Sequence, residues 1–95
     1  MKKEMPLKHL NITVIGRVQG VWFRKYTETK ANELGIKGFV QNKANKNVYI
    51  EAEAEQIVLD SFIAWCHVGS PLASVKEVKW EEAELKHFSE FTILK

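Results

Sequence analysis

Arg17 and Arg24 are the only arginines in a chain with twelve lysines, and both fall within Gly16-Arg17-Val18-Gln19-Gly20-Val21-Trp22-Phe23-Arg24. Guanidinium is a planar, permanently charged fork that holds phosphate oxygens in pairs. If this segment leads from a strand into a helix, the N–H groups at the helix start converge, and loop and arginine together make an anion cradle. The chemistry that fits is phosphate binding, with Arg24 in the first helical turn reaching back over the loop. From spacing alone, a tight strand–helix connection carrying a solvated arginine fits equally well. Asn42 is the second candidate. Its amide carries both donor and acceptor and could hold a water without changing protonation state, although a turn residue before a hairpin is the plainer reading.

The other polar residues exclude familiar alternatives. Asp60 is the only aspartate, whereas covalent aspartyl phosphatases need a pair and two-metal phosphatases need several carboxylate and histidine ligands. His9, His67 and His87 lack metal-ligand spacing. Cys66, beside Trp65, reads as a small buried residue, and no arginine follows it to complete a Cys-x5-Arg loop. Ser61, Ser70, Ser74 and Ser89 have no nucleophile elbow around them. No metal or cofactor is expected.

Composition sets the scale. The 95 residues, 45% of them hydrophobic, suit one small domain, with residues 1–7 as a loose tail. A net charge of +2 gives no general attraction for nucleic acid or an anionic membrane. One cysteine fits a reducing compartment, and no apolar run is long enough for a signal peptide or a spanning helix. The expectation is a cytoplasmic monomer.

The elements that must position the loop follow from periodicity. Residues 9–15 alternate, with Leu10, Ile12 and Val14 on one side, and predict a half-buried strand. From Phe23 the period becomes helical, with Phe23, Tyr26, Ala31 and Leu34 on one stripe and Gly35 as the stop. Residues 37–43 predict a second strand, the asparagine-rich stretch 44–47 a turn, and Val48, Ile50 and Ala52 a third strand. The partners Glu51, Glu53 and Glu55 read there as a solvated face. Residues 55–68 predict a second helix with Val58, Phe62 and Trp65 as its core stripe. Residues 75–84 form a fourth strand, with Val78 and Trp80 on one face, and residues 88–94 a fifth. The order β-α-β-β-α-β plus a short last strand is an α+β, ferredoxin-like split βαβ. It is a two-layer sandwich with two helices on one face of an antiparallel sheet and the other face open. Residues 16–23 would form the first loop.

The same residues carry a family resemblance. The segment Gly16 to Arg24 resembles the signature loop of the acylphosphatase family. Gly38-Phe39-Val40-Gln41-Asn42, with Val48 six positions on, resembles its second signature, and Ser70-Pro71-Leu72-Ala73-Ser74-Val75 is similar to the loop entering its fourth strand. The likeness covers roughly residues 8–95. It implies cofactor-free hydrolysis of carboxyl-phosphate anhydrides, with a small-molecule acyl phosphate as the partner. By position, Arg24 would bind the phosphate and Asn42 would orient the attacking water. The backbone N–H groups of Gln19, Gly20, Val21, Trp22 and Phe23 would form the cradle. Arg17 has no role that its position compels. The chain departs from the family where Lys46 and Ala54 replace glycines. Asn45 or Asn47 would then absorb the positive φ of the turn. Trp22 takes a place that is often glycine, and its side chain either points away from the phosphate or folds over the mouth of the site.

Two other function classes remain. Because the family also supplies domains of larger maturation proteins, a non-catalytic phosphate- or anion-binding module of the same fold is the alternative. Lys37-Gly38-Phe39-Val40 echoes an RNA-recognition strand, but on the wrong strand and without further aromatics.

Overall fold

A computed structural model describes residues 6–95. The sequence orders itself as β1 (Leu7–Arg17), α1 (Phe23–Leu34), β2 (Lys37–Asn42), β3 (Val48–Glu55), α2 (Gln56–Val68), β4 (Ser74–Ala83) and β5 (Phe91–Leu94). One sheet runs β4-β1-β3-β2-β5. The four strands of the split βαβ pair antiparallel, as expected. The fifth pairs parallel with β2 and makes the sheet mixed. It begins at Phe91 rather than at residue 88, because the chain after β4 must first cross the sheet to reach the far edge. Both helices lie over one face, α1 against β2 and β5, and α2 against β4, β3 and β1. Between the layers lie Ile12, Val14, Phe23, Ile36, Val40, Val48, Ile50, Leu59 and Phe62, each fully or almost fully buried. No helix among the described residues is long and apolar enough to cross a membrane.

The helices bury part of the expected stripes, Phe23, Ala31 and Phe62, and differ at the other positions. In α1 the inward positions are Phe23, Thr27 and Ala31, while Tyr26 is exposed. Thr27 tolerates burial because its hydroxyl donates to the Phe23 carbonyl at 2.8 Å. In α2 the buried residues are Leu59, Phe62 and Cys66, with Val58 and Trp65 at the margin. Burial pushes the Cys66 thiol up to about 12, so it stays a protonated core residue.

β1 is longer than its alternation suggested. Leu7 already pairs with Glu55, so the loose tail cannot extend that far, and the part of it over residues 1–5 lies outside the described residues. At the other end Gly16 and Arg17 pair with Val75 and Ser74, after a bulge at Ile15/Gly16. Gly16 and Arg17 are therefore strand residues, and the first loop begins after them rather than at residue 16. A Cβ at Gly16 would collide with the Ser74 carbonyl. The turn between β2 and β3 also differs from expectation. Positive φ falls on Lys46 itself, at 75°, while Asn45 shapes the turn by accepting a hydrogen bond from the Asn47 N–H at 3.1 Å.

The largest correction concerns the outer face of the sheet. Glu51 and Glu53 are buried, at 6% and 4% exposure, not solvated. They stand across from Asn11 and His9 of β1, and the crossing segment 84–90 covers them. Fully buried His9 places Nδ1 2.8 Å from Glu53 Oε2 and Nε2 3.1 Å from Glu51 Oε1. Glu53 also accepts from the backbone N–H groups of Lys86, His87 and Phe88 at 2.5, 3.3 and 2.9 Å. Glu51 accepts from Lys86 Nζ and from the Tyr49 hydroxyl, both at 2.8 Å.

Burial pushes both carboxyls up, but the hydrogen bonds from Lys86, Tyr49 and His9 and the segment's N–H groups outweigh it and hold both below the ordinary 4.5. Burial together with the Glu51 hydrogen bond and charge pushes Tyr49 up to about 12. Groups lowered on folding stabilise the fold above their unfolded value, and that contribution is lost as pH falls through the folded value. The urea midpoint is therefore expected to drop as pH falls below about 4.5. Glu53→Gln should cost about 1–3 kcal/mol at neutral pH and flatten this acid limb. Parallel acid limbs for variant and parent would show that Glu53 is not its source.

Candidate active site

The loop between β1 and α1 comprises residues 18–22. Val18 and Val21, 1% and 5% exposed, plug it into the core. The Ser70 hydroxyl donates to the Val21 carbonyl at 2.7 Å and fixes it from the α2–β4 side. On the opposite side Gln19 Nε2 donates to the carbonyls of Lys43 and Asn47, both at 2.9 Å. That double contact ties the loop to the β2–β3 hairpin, which is why Asn42, the last residue of β2, ends beside it. Strand order alone does not bring them together, since β3 separates β2 from β1.

Gly20 and Trp22 both take left-handed dihedrals, at φ 71° and 64°. This turns the chain sharply into α1, whose N-terminus has no side-chain cap and no acidic residue in its first turn. Among the described residues, no carbonyl accepts from the N–H groups of Gly20, Val21, Trp22, Phe23, Arg24 or Lys25. The first backbone bond at this end runs from Tyr26 N–H to the Trp22 carbonyl at 3.1 Å. A helix start left in this state carries partial positive charge and free donors.

These residues open on a cleft of about 600 Å³ lined by Val18, Gly20, Trp22, Phe23, Arg24, Lys25, Asn42, Ile93 and Lys95. Its cationic side chains are Arg24, Lys25 and Lys95, and among the described residues no carboxylate, imidazole or thiol side chain lines it. Lys25 pairs with Glu28 at 3.0 Å, whereas Arg24, partly buried in the first turn of α1, makes no ion pair among the described residues. Asn42 Oδ1 is the one buried side-chain polar atom without a hydrogen-bond partner among the described residues. Leaving a buried acceptor unmade is unfavourable by about 1–3 kcal/mol.

Of the residues singled out from sequence, Arg24, Asn42, Gly20, Trp22 and Phe23 converge on this cleft. Gln19 and Val21 do not line it. Their side chains are committed to the hairpin and the core, although their backbone belongs to the loop. Arg17 sits exposed at the end of β1, outside the lining. Sequence reasoning missed Ser70, Ile93 and Lys95. Ser70 carries no local signal, since it acts across 49 positions. Ile93 and Lys95 reach the cleft only because β5 lies parallel to β2.

Comparison with known proteins agrees with this geometry. The family model for acylphosphatases matches residues 10–93. An acylphosphatase of Archaeoglobus fulgidus is 44% identical over 84 residues, covering 88% of this chain and 94% of the relative. One of Methylococcus capsulatus is 40% identical over 90 residues, covering 94% and 98%. The crystal structure of the Bacillus subtilis acylphosphatase superposes with a TM-score of 0.91 at 33% identity, over 95% of this chain and all of that one. The matched stretch takes in the loop, both helices and the hairpin that carries Asn42, and the chain belongs to the acylphosphatase family.

Proposed function

We propose that this cleft hydrolyses the carboxyl-phosphate anhydride bond of acyl phosphates, with Arg24 and the loop N–H groups holding the phosphoryl group and Asn42 orienting the water. The observation that carries the assignment is the convergence on one cleft of Arg24, the free N–H groups and Asn42, whose Oδ1 has no hydrogen-bond partner among the described residues. An acceptor without a donor, next to an anion cradle, suits a water that offers one O–H to Asn42 and turns its lone pair toward phosphorus.

Little further equipment is required. The water oxygen forms a bond to phosphorus as the bridging P–O bond breaks. The bridging oxygen leaves on the carboxylate, and the water's proton ends on solvent or phosphate. A carboxylate whose conjugate acid has a pKa of about 4 departs without a general acid at neutral pH. Charge spread over the phosphoryl oxygens is met by one guanidinium and several fixed N–H dipoles. Such positioning and electrostatic stabilisation carry most phosphoryl transfers. The same proposal includes a single-domain monomer working in the cytoplasm, supported by one continuous core, a lone buried cysteine and a small net charge.

The purified chain is expected to hydrolyse benzoyl phosphate far above its spontaneous rate, with unchanged turnover in excess EDTA, since among the described residues the cleft offers no metal-ligating side chain beyond Asn42. Strong chelator inhibition would overturn the metal-free mechanism. Phosphate binding without turnover would leave the anion-binding module as the function.

A further inference from the structure

Trp22 is unusual on three counts. It holds φ 64°, a left-handed conformation that a bulky residue adopts at a conformational cost and glycine adopts freely. The residue is 73% exposed, more than any other large hydrophobic residue among the described ones. It also lines the cleft. The aromatic pairs of the fold use Trp65 and the phenylalanines and leave Trp22 out. The indole therefore adds little to folding, and a strained residue at a cleft mouth points toward what enters the cleft.

The cleft has space for more than a phosphoryl group. Its volume of about 600 Å³ lies in the range of sites that hold whole small molecules. Its lining combines Arg24, Asn42 and the loop that carries the free N–H groups with the apolar side chains of Val18, Phe23, Ile93 and Trp22. Among the described residues no acidic side chain lines the cleft to repel the departing carboxylate.

We propose that Trp22 and Ile93 form an acyl-group subsite that selects apolar, planar acyl groups, with the indole as a stacking platform. Trp22 is thus a specificity-determining residue, acting through its side chain while its backbone belongs to the loop. The inference rests on the hydrolytic reading above for its substrate and adds the class of acyl group preferred.

The test compares benzoyl phosphate with acetyl phosphate in the parent chain, Trp22→Phe and Trp22→Gly. Trp22→Gly relieves the left-handed strain, so loss of the fold is not expected. Trp22→Asn, which also tolerates this conformation, serves as a second truncation. The benzoyl-to-acetyl ratio of kcat/KM is expected to fall about 3- to 10-fold in the Gly and Asn variants. The change should come from a higher KM for benzoyl phosphate, and Trp22→Phe should keep the ratio within about twofold. An unchanged ratio, or equal losses for both substrates, would overturn the subsite. Calorimetric binding of phenylphosphonate against methylphosphonate separates the two readings. A Trp22-dependent phenyl preference in a chain that hydrolyses neither acyl phosphate would sustain the subsite and remove hydrolysis. Hydrolysis without that preference would do the reverse.

Discussion

Arg24→Ala is expected to lower kcat/KM for benzoyl phosphate by about 10³-fold or more, and to weaken inhibition by inorganic phosphate, while leaving the fold intact. Loss of a single preorganised donor to a developing oxyanion typically removes about 10²–10³ in rate, and a charged bidentate donor lies at the upper end. A 10³-fold loss corresponds to about 4 kcal/mol of transition-state stabilisation. Retention of the fold follows from what Arg24 does not do. It makes no ion pair or side-chain hydrogen bond among the described residues, and the core beneath α1 is built by Phe23, Thr27 and Ala31. Alanine is also a better helix former at that position. Arg24→Lys should recover only a small part of the activity, because an ammonium keeps the charge and loses the planar fork. Activity measured beside circular dichroism and a urea midpoint decides the matter. Parental turnover in a folded Arg24→Ala chain would remove Arg24 from the site.

The site stands apart in sequence and together in space because the hydrogen bonds of two side chains and one strand pairing act across strand order. Gln19 pulls the β2–β3 hairpin onto the loop, Ser70 holds the loop from behind, and parallel β5 closes the wall with Ile93. What sequence could reveal was the local part of this. Alternation at Leu10, Ile12 and Val14, the change of period at Phe23 and the stop at Gly35 all became a strand, a helix and a left-handed cap in their expected places. Arginine placement and the glycine at position 20 marked the loop. Non-local effects stayed hidden. Glutamates alternating on a strand read as solvated until a segment more than thirty positions away folds over them with a row of N–H donors. Thr27 takes the inward place expected of Tyr26 because a threonine, which a periodicity count treats as polar, can satisfy its hydroxyl on its own helix. Gly16 read as the first residue of the loop, but its Cα faces the backbone of β4, a pairing that no spacing within residues 16–24 announces.

Asn42→Ala is expected to separate binding from turnover. Asn42 lines the cleft from the end of β2, and its Oδ1 has no donor among the described residues, so truncating it breaks no hydrogen bond at that atom and leaves the loop's N–H groups and Arg24 in place. Phosphate affinity should therefore remain within about threefold of the parent, while kcat falls by about 10²–10³. A water without its orienting acceptor still reaches phosphorus but loses the in-line pose, and misplacement by about 1 Å can cost about 10²-fold. This profile of kcat down with ground-state binding kept is that of an interaction made in the transition state alone. Asn42→Asp tests the role from the other direction. A carboxylate preserves the acceptor but sets a negative charge against the incoming phosphoryl group, so both binding and kcat should drop. The fold should gain slight stability from Asn42→Ala if the buried acceptor is unfavourable as it stands. A variant that binds phosphate poorly yet turns over bound substrate at the parental rate would make Asn42 a binding residue, and the water would need another partner.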